Sequence, residues 1–141
     1  IARIVMLKEF IWKIRVYYED TDAGGVVFYA NYLRFMERAR TEWLRDIGFD
    51  HKNLIEKYKL IFAVKNLKIN YMKPGYLDDL LTITSKLLNN RGASLVFQQE
   101  IINEKDELLT QAEVKIACLN SNTLKASPMP EKLLMELTND S

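Results

Sequence analysis

Cysteine and histidine are almost missing from this chain, which has one of each, Cys118 and His51, in 141 residues. A single cysteine closes no internal disulfide and offers zinc no CxxC pair. Cys118 lies in the strand-like run AEVKIACLN and reads as a small apolar filler rather than a nucleophile. His51 follows Asp50 in GFDHKNLIEKYK with no second histidine or cysteine nearby. It reads as a surface or capping residue, and neither a metal nor a cofactor is expected. Charge of one sign is missing too. Lys and Arg number 20 against 19 Asp and Glu, a net charge of +1 with no basic block, so nothing points to nucleic acid. No apolar run reaches the roughly 18 to 20 residues of a membrane span. The opening IARIVMLKEF lacks the cleavage site and sustained apolar core of a secretory signal, so the expected location is cytoplasmic. With Met6 as the natural start, residues 1–5 are upstream or non-native sequence.

What is present is a core. Hydrophobic residues make up 48% of the chain and charged residues 28%, which suits one globular domain over residues 1–141. Phe10 to Glu19 is rich in β-branched and aromatic residues, with Ile14, Val16 and Tyr18 alternating against Lys13, Arg15 and Tyr17, the period of a strand. From Ala30 to Ile47 the period turns helical. At about 100° per residue, Tyr32, Phe35, Met36, Ala39, Trp43 and Ile47 share one face, so this long helix should be mostly buried. Arg40 falls inside that stripe and needs a partner if buried. Gly48 suits the helix end. A short helix is expected over Asp50–Lys59 and another over Glu131–Leu137. Strands are expected over Phe62–Met72, Leu80–Leu88, Ser94–Asn103 and Leu108–Leu119. Their links carry turn residues, and the last two are short, which favours antiparallel neighbours. The class is α+β, with one apolar helix and a five-stranded sheet burying each other.

Between the first strand and the long helix stands YEDTDAGGVVFYANY, with Glu19, Asp20 and Asp22 ahead of Gly24-Gly25. The plainest reading is a polar turn. A calcium loop fits poorly, because Gly24 replaces a ligand and Asn31 stands where a bidentate Glu belongs. A phosphoryl-transfer Asp-x-Asp lacks its parallel sheet. A fourth reading is a catalytic carboxylate at a helix start. There, unpaired backbone N–H groups polarise a carbonyl and stabilise its oxyanion, while the carboxylate attacks it or draws a proton from water. Gly24 and Gly25 permit the turn and leave room for substrate.

VYYEDTDAGGVVFYANYLRFMERARTEWLR, with AVKNLKINYMKPGYLDDLLTI, NRGASLVFQQEI and AEVKIAC, resembles the Tol-Pal-associated acyl-CoA thioesterases of the 4-hydroxybenzoyl-CoA thioesterase family. The resemblance implies a hotdog fold, its sheet wrapped around one long central helix. It also implies sheets joined edge to edge in homodimers or homotetramers, with active sites between subunits. Asp22 matches the catalytic aspartate of that family. Tyr29 matches the residue whose backbone N–H meets the thioester carbonyl. Gly24, Gly25 and Val26 fall in its substrate-binding segment, and Arg91 matches a contact to a coenzyme A phosphate. Tol-Pal-associated members carry His where Tyr29 stands, and tyrosine there is more like the 4-hydroxybenzoyl-CoA branch. Other hotdog thioesterases use an acid on the central helix, where Glu37 is the one candidate, although an ion pair with Arg40 is the plainer role for it. Hydrolysis of small acyl-CoA thioesters is the expected function. Acyl carrier protein as the carrier, a dehydratase, and a non-catalytic subunit of an envelope or lipid-synthesis assembly are the alternatives. An oligomer is expected on physical grounds as well, because a strand as apolar as SLVFQQEII would leave an exposed edge unless paired.

Overall fold

The computed structural model describes residues 8–138, so the assignment of residues 1–5 concerns residues outside it. The elements in order are β1 (Glu9–Arg15), α1 (Asn31–Asp46), α2 (His51–Tyr58), β2 (Leu60–Tyr71), β3 (Leu80–Asn90), β4 (Ser94–Ile102), β5 (Leu108–Asn120) and α3 (Glu131–Thr138). The strands form one sheet in the order β1-β3-β4-β5-β2, every pair antiparallel. The expected class and the five-stranded antiparallel sheet hold.

Alternation does the sorting. In β3 from Leu81 to Leu87, and in β4 from Leu95 to Ile101, every second residue is buried and the residues between are partly exposed. The buried rows meet the apolar stripe of α1, where Tyr32, Phe35, Met36, Ala39, Trp43 and Leu44 are buried. Trp43 packs against Phe10 of β1 and Phe97 of β4, with ring centroids 5.9 and 5.7 Å apart. Each such large side chain contributes about 1.5–3 kcal/mol when removed from water. Gly48 follows α1 at φ +92°, a backbone that a side chain would strain. Asp50 caps α2, its carboxylate accepting the Asn53 N–H at 2.7 Å.

Two expectations are corrected. The first strand does not run to Glu19. It ends at Arg15, because Tyr18–Asp20 coil into a 3-10 turn that leaves Tyr17 and Tyr18 in solvent and turns Asp20 inward. The apolar strand that argued for an oligomer is not an edge either. β4 lies in the middle of the sheet, and the edges are β1 and β2.

Candidate active site

The segment between β1 and α1 is fastened by backbone. Thr21 bridges Val27, and Val26 bridges Tyr76. The Asp22 N–H donates to Val26 O at 2.9 Å, Phe28 N–H to Asp20 O at 2.9 Å, and Val27 N–H to Gly75 O at 2.8 Å. Gly75 in turn donates its N–H to the buried Tyr32 hydroxyl at 2.9 Å. A Cβ on Gly75 would stand 3.2 Å from Val27 Cγ2, so the close approach of the two segments needs glycine there. Gly25 sits at φ +78°, the left-handed region its neighbours avoid.

Asp20 and Asp22 part company here. Asp20 is 5% exposed. One of its oxygens accepts from the Tyr17 N–H and the other from Asn31 Nδ2, each at 2.8 Å. It therefore ties the strand end to the first residue of α1. Asp22 is exposed. Its Oδ1 accepts the Gly24 N–H at 2.8 Å, and a Cβ on Gly24 would crowd that same oxygen at 3.3 Å. No hydrogen bond among the described residues reaches Asp22 Oδ2.

Tyr29 stands two residues ahead of α1, 63% exposed, and nothing among the described residues accepts its N–H. Its carbonyl accepts from the Tyr71 hydroxyl at 3.3 Å, and the two rings meet edge to face. Burial, with Tyr29 alongside, pushes the Tyr71 phenol above its ordinary pKa. A groove of about 260 Å³ runs under Tyr29 between Val27, Tyr32, Tyr71 and Pro74. Asp22, Gly24, Gly25 and Val26 flank this loop without lining the groove.

A second cavity, about 130 Å³, lies farther along α1 and has Glu37, Arg40, Thr41 and His51 in its wall. The expected Glu37–Arg40 ion pair does not form within 4 Å among the described residues. Arg40 instead donates to Gln99 Oε1 at 2.8 Å, and Gln99 Nε2 donates to Met36 O and Ser85 Oγ, both at 2.9 Å. Burial pulls the Arg40 pKa down, with the charge of Glu37 opposing. Glu37 accepts from the Thr41 hydroxyl at 3.3 Å, whose oxygen is 3.2 Å from His51 Nε2.

Arg91 is not brought to Asp22 within one chain. The Asp22 loop is fastened near the Leu80 end of β3, through the Val16 N–H to Asp79 O. Arg91 follows the other end, eleven residues along, roughly 35 Å at strand rise. Cys118 is buried, and burial pushes its thiol up to about 12, which suits filler and not a nucleophile. Among the described residues no three His, Cys, Asp or Glu side chains are grouped to hold a metal, and no helix is long and apolar enough to cross a membrane. Three contributors escaped the sequence reading: Asn31, Tyr71 and Gly75. An Asn opening a buried helix face eleven residues after an Asp was the one usable signal; the other two need the tertiary pairing.

Residues 24–110 match the thioesterase superfamily. The chain is 43% identical over 127 residues to the acyl-CoA thioester hydrolase YbgC of Escherichia coli O6:H1, covering 90% of this chain and 94% of that protein. It is 43% identical over 124 residues to the acyl-CoA thioesterase YbgC of Haemophilus influenzae, covering 88% and 90%. A probable thioesterase from Bartonella henselae, 36% identical, superposes with a TM-score of 0.83 over 87% of this chain and 100% of that one. With the sheet around α1 and relatives matched over nearly their whole length, the chain belongs to the thioesterase superfamily of hotdog folds.

Proposed function

We propose that this single-domain chain hydrolyses small acyl-CoA thioesters to the free acid and coenzyme A, using Asp22 and the backbone N–H of Tyr29. The observation that carries the reading is the contrast inside one loop. Asp20 is buried with both oxygens engaged, while Asp22 is exposed, held by one oxygen to the Gly24 N–H, with no partner among the described residues at the other. That fixes the carboxylate in place and leaves one oxygen facing outward. The Tyr29 N–H, at the positive end of α1, receives the carbonyl oxygen and the charge that grows on it. Either Asp22 attacks the carbonyl carbon and water then cleaves the resulting anhydride to the acid and free Asp22, or Asp22 takes a proton from a water that attacks directly; in both routes the carbon–sulfur bond breaks and the departing thiolate of coenzyme A takes up a proton released from that water. Gly24, Gly25 and Val26 leave the approach to Asp22 open. The names of the relatives support coenzyme A as the carrier.

The working unit is a homodimer or a homotetramer, in the cytoplasm beside the Tol-Pal system. Support for self-association comes from β2, an edge strand whose Val64 is 57% exposed and whose Leu67 and Tyr71 are also exposed. Edge-to-edge pairing there brings one subunit toward the loops of the next, the route by which Arg91 reaches a coenzyme A phosphate. The test is thiol release from a panel of acyl-CoAs beside the same acyl groups on acyl carrier protein. Turnover of short acyl-CoAs is expected; release only from the carrier protein, or from neither, overturns the proposal.

A further inference from the structure

We infer that Asp20 and Asn31 are positioning residues for the reaction proposed above, a buried pair that clamps the turn over residues 28–31 and so aims the Tyr29 N–H. This rests on the thioesterase reading. The donor belongs to the peptide between Phe28 and Tyr29. In a trans peptide the C=O and the N–H point opposite ways, so whatever holds the Phe28 carbonyl also directs the Tyr29 N–H. That carbonyl accepts the Asn31 N–H at 2.8 Å, which closes a four-residue turn.

Asp20 reaches both ends of the turn. Its backbone carbonyl accepts the Phe28 N–H at 2.9 Å, where the chain enters. Its Oδ1 accepts from Asn31 Nδ2 at 2.8 Å, where the chain passes into α1. Its Oδ2 accepts the Tyr17 N–H, also at 2.8 Å, which ties the clamp to the end of β1. Asp20 and Asn31 are 5% and 6% exposed. No cation stands within 4 Å of the Asp20 carboxylate among the described residues. A carboxylate drawn out of water without a cation is a costly way to fasten a turn. What it gives in return is stiffness, since hydrogen bonds to a charged acceptor are roughly twice as strong as neutral ones. Stiffness matters at an oxyanion donor, where a misplacement of about 1 Å can cost on the order of a hundredfold in rate. The other tie on this stretch, the Tyr71 hydroxyl on the Tyr29 carbonyl at 3.3 Å, acts on the following peptide and not on the donor's own.

The test uses Asp20→Asn, Asn31→Asp and the double variant carrying both. In Asp20→Asn the one remaining oxygen cannot serve Tyr17 and Asn31 at once. In Asn31→Asp two carboxylates face each other. In the double variant the hydrogen bond runs the other way, from an amide at position 20 to a carboxylate at position 31, and the Tyr17 N–H keeps its acceptor. At a temperature where all are folded, each single variant is expected to lower kcat about tenfold with KM within about threefold, and the double variant to return kcat to within about threefold of wild type. Asn31→Ala, which adds no charge and should also lower kcat about tenfold, replaces Asn31→Asp if that variant does not fold. Single variants within twofold of wild-type kcat overturn the inference, and so does a double variant as slow as the slower single. Amide NMR supplies a readout that a merely structural tie would leave alone. The Tyr29 amide resonance should move in each single variant and return in the double. If wild type cleaves no acyl-CoA, the thioesterase reading falls by itself, and the same spectra decide the clamp: a Tyr29 amide unmoved in the single variants overturns it, and one that moves and is restored by the double supports it.

Discussion

Asp22 and Glu37 are two exposed carboxylates beside the same helix, and their surroundings differ in kind. Asp22 lies in a loop ahead of α1, close in sequence to a peptide N–H with no acceptor among the described residues. Glu37 lies within α1, where the backbone N–H groups are used by the helix itself, and its own contact is the Thr41 hydroxyl. A carboxylate can draw a proton in either place. Only the first place also offers a fixed donor for an oxyanion, which is why the reaction is proposed at the helix start rather than on the helix flank.

The largest test of that contrast is Asp22→Asn, close in size but neither nucleophile nor base. It should lower kcat at least about a hundredfold, some 2.7 kcal/mol in barrier, while Glu37→Gln stays within about threefold. Steady-state thiol release on both variants decides it. More than a tenth of wild-type turnover left in Asp22→Asn, with a large loss in Glu37→Gln, reverses the comparison.

Next in size is a stability effect that sharpens the contrast between neighbouring aspartates. Asp20→Ala strands the Tyr17 N–H and Asn31 Nδ2, which now share one carboxylate. It should cost about 1–3 kcal/mol of folding free energy, measured by urea unfolding. Asp22→Ala, removed from an exposed turn, should cost less than 1 kcal/mol by roughly the same reckoning.

A smaller effect is expected at Tyr29, where the proposed role belongs to the backbone and not to the ring. Tyr29→Phe and Tyr29→His should keep kcat within about threefold and change mainly KM or acyl preference. Removing one oxyanion donor typically costs about 10² to 10³ in kcat, and neither substitution removes the peptide N–H. A hundredfold fall in kcat for Tyr29→Phe at constant KM moves the donor to the phenol.

The last effect vanishes at neutral pH. Cys118 is raised by burial from an ordinary thiol value near 9 to about 12. The unfolded chain ionises there first, so its stabilising contribution is complete below about pH 9 and is lost as pH rises toward 12. Tyr32, also raised by burial, adds to the loss above pH 10. Cys118→Ala should flatten the fall in unfolding midpoint between pH 9 and 10, as followed by thermal melts. An unchanged slope would remove the thiol from the account.

Period and turn chemistry made α1 and the strands legible, because one face of each had to be apolar and the turns between β3, β4 and β5 had to be tight. The pairing of β1 with β3 and of β2 with β5 was not legible, since those partners are distant in the chain and nothing local encodes them. In the loop, family likeness singled out Asp22 over Asp20. It did not foresee that Asp20 would turn inward, because its partner Asn31 is met only once the 3-10 turn has formed. Arg40 was marked as needing a partner. Proximity suggested Glu37, but the guanidinium points across to β4, where Gln99 waits.

That last contact acts on the helix as a whole. An apolar stripe against an apolar sheet is greasy and nearly indifferent to a few degrees of roll. The chain from Arg40 through Gln99 to Met36 O and Ser85 Oγ is directional, and small rotations of α1 about its own axis would strain or break it. It sets the azimuth of α1, and with it the bearing of Glu37, which rides on that rod, while Tyr29 stands in the turn just ahead of it.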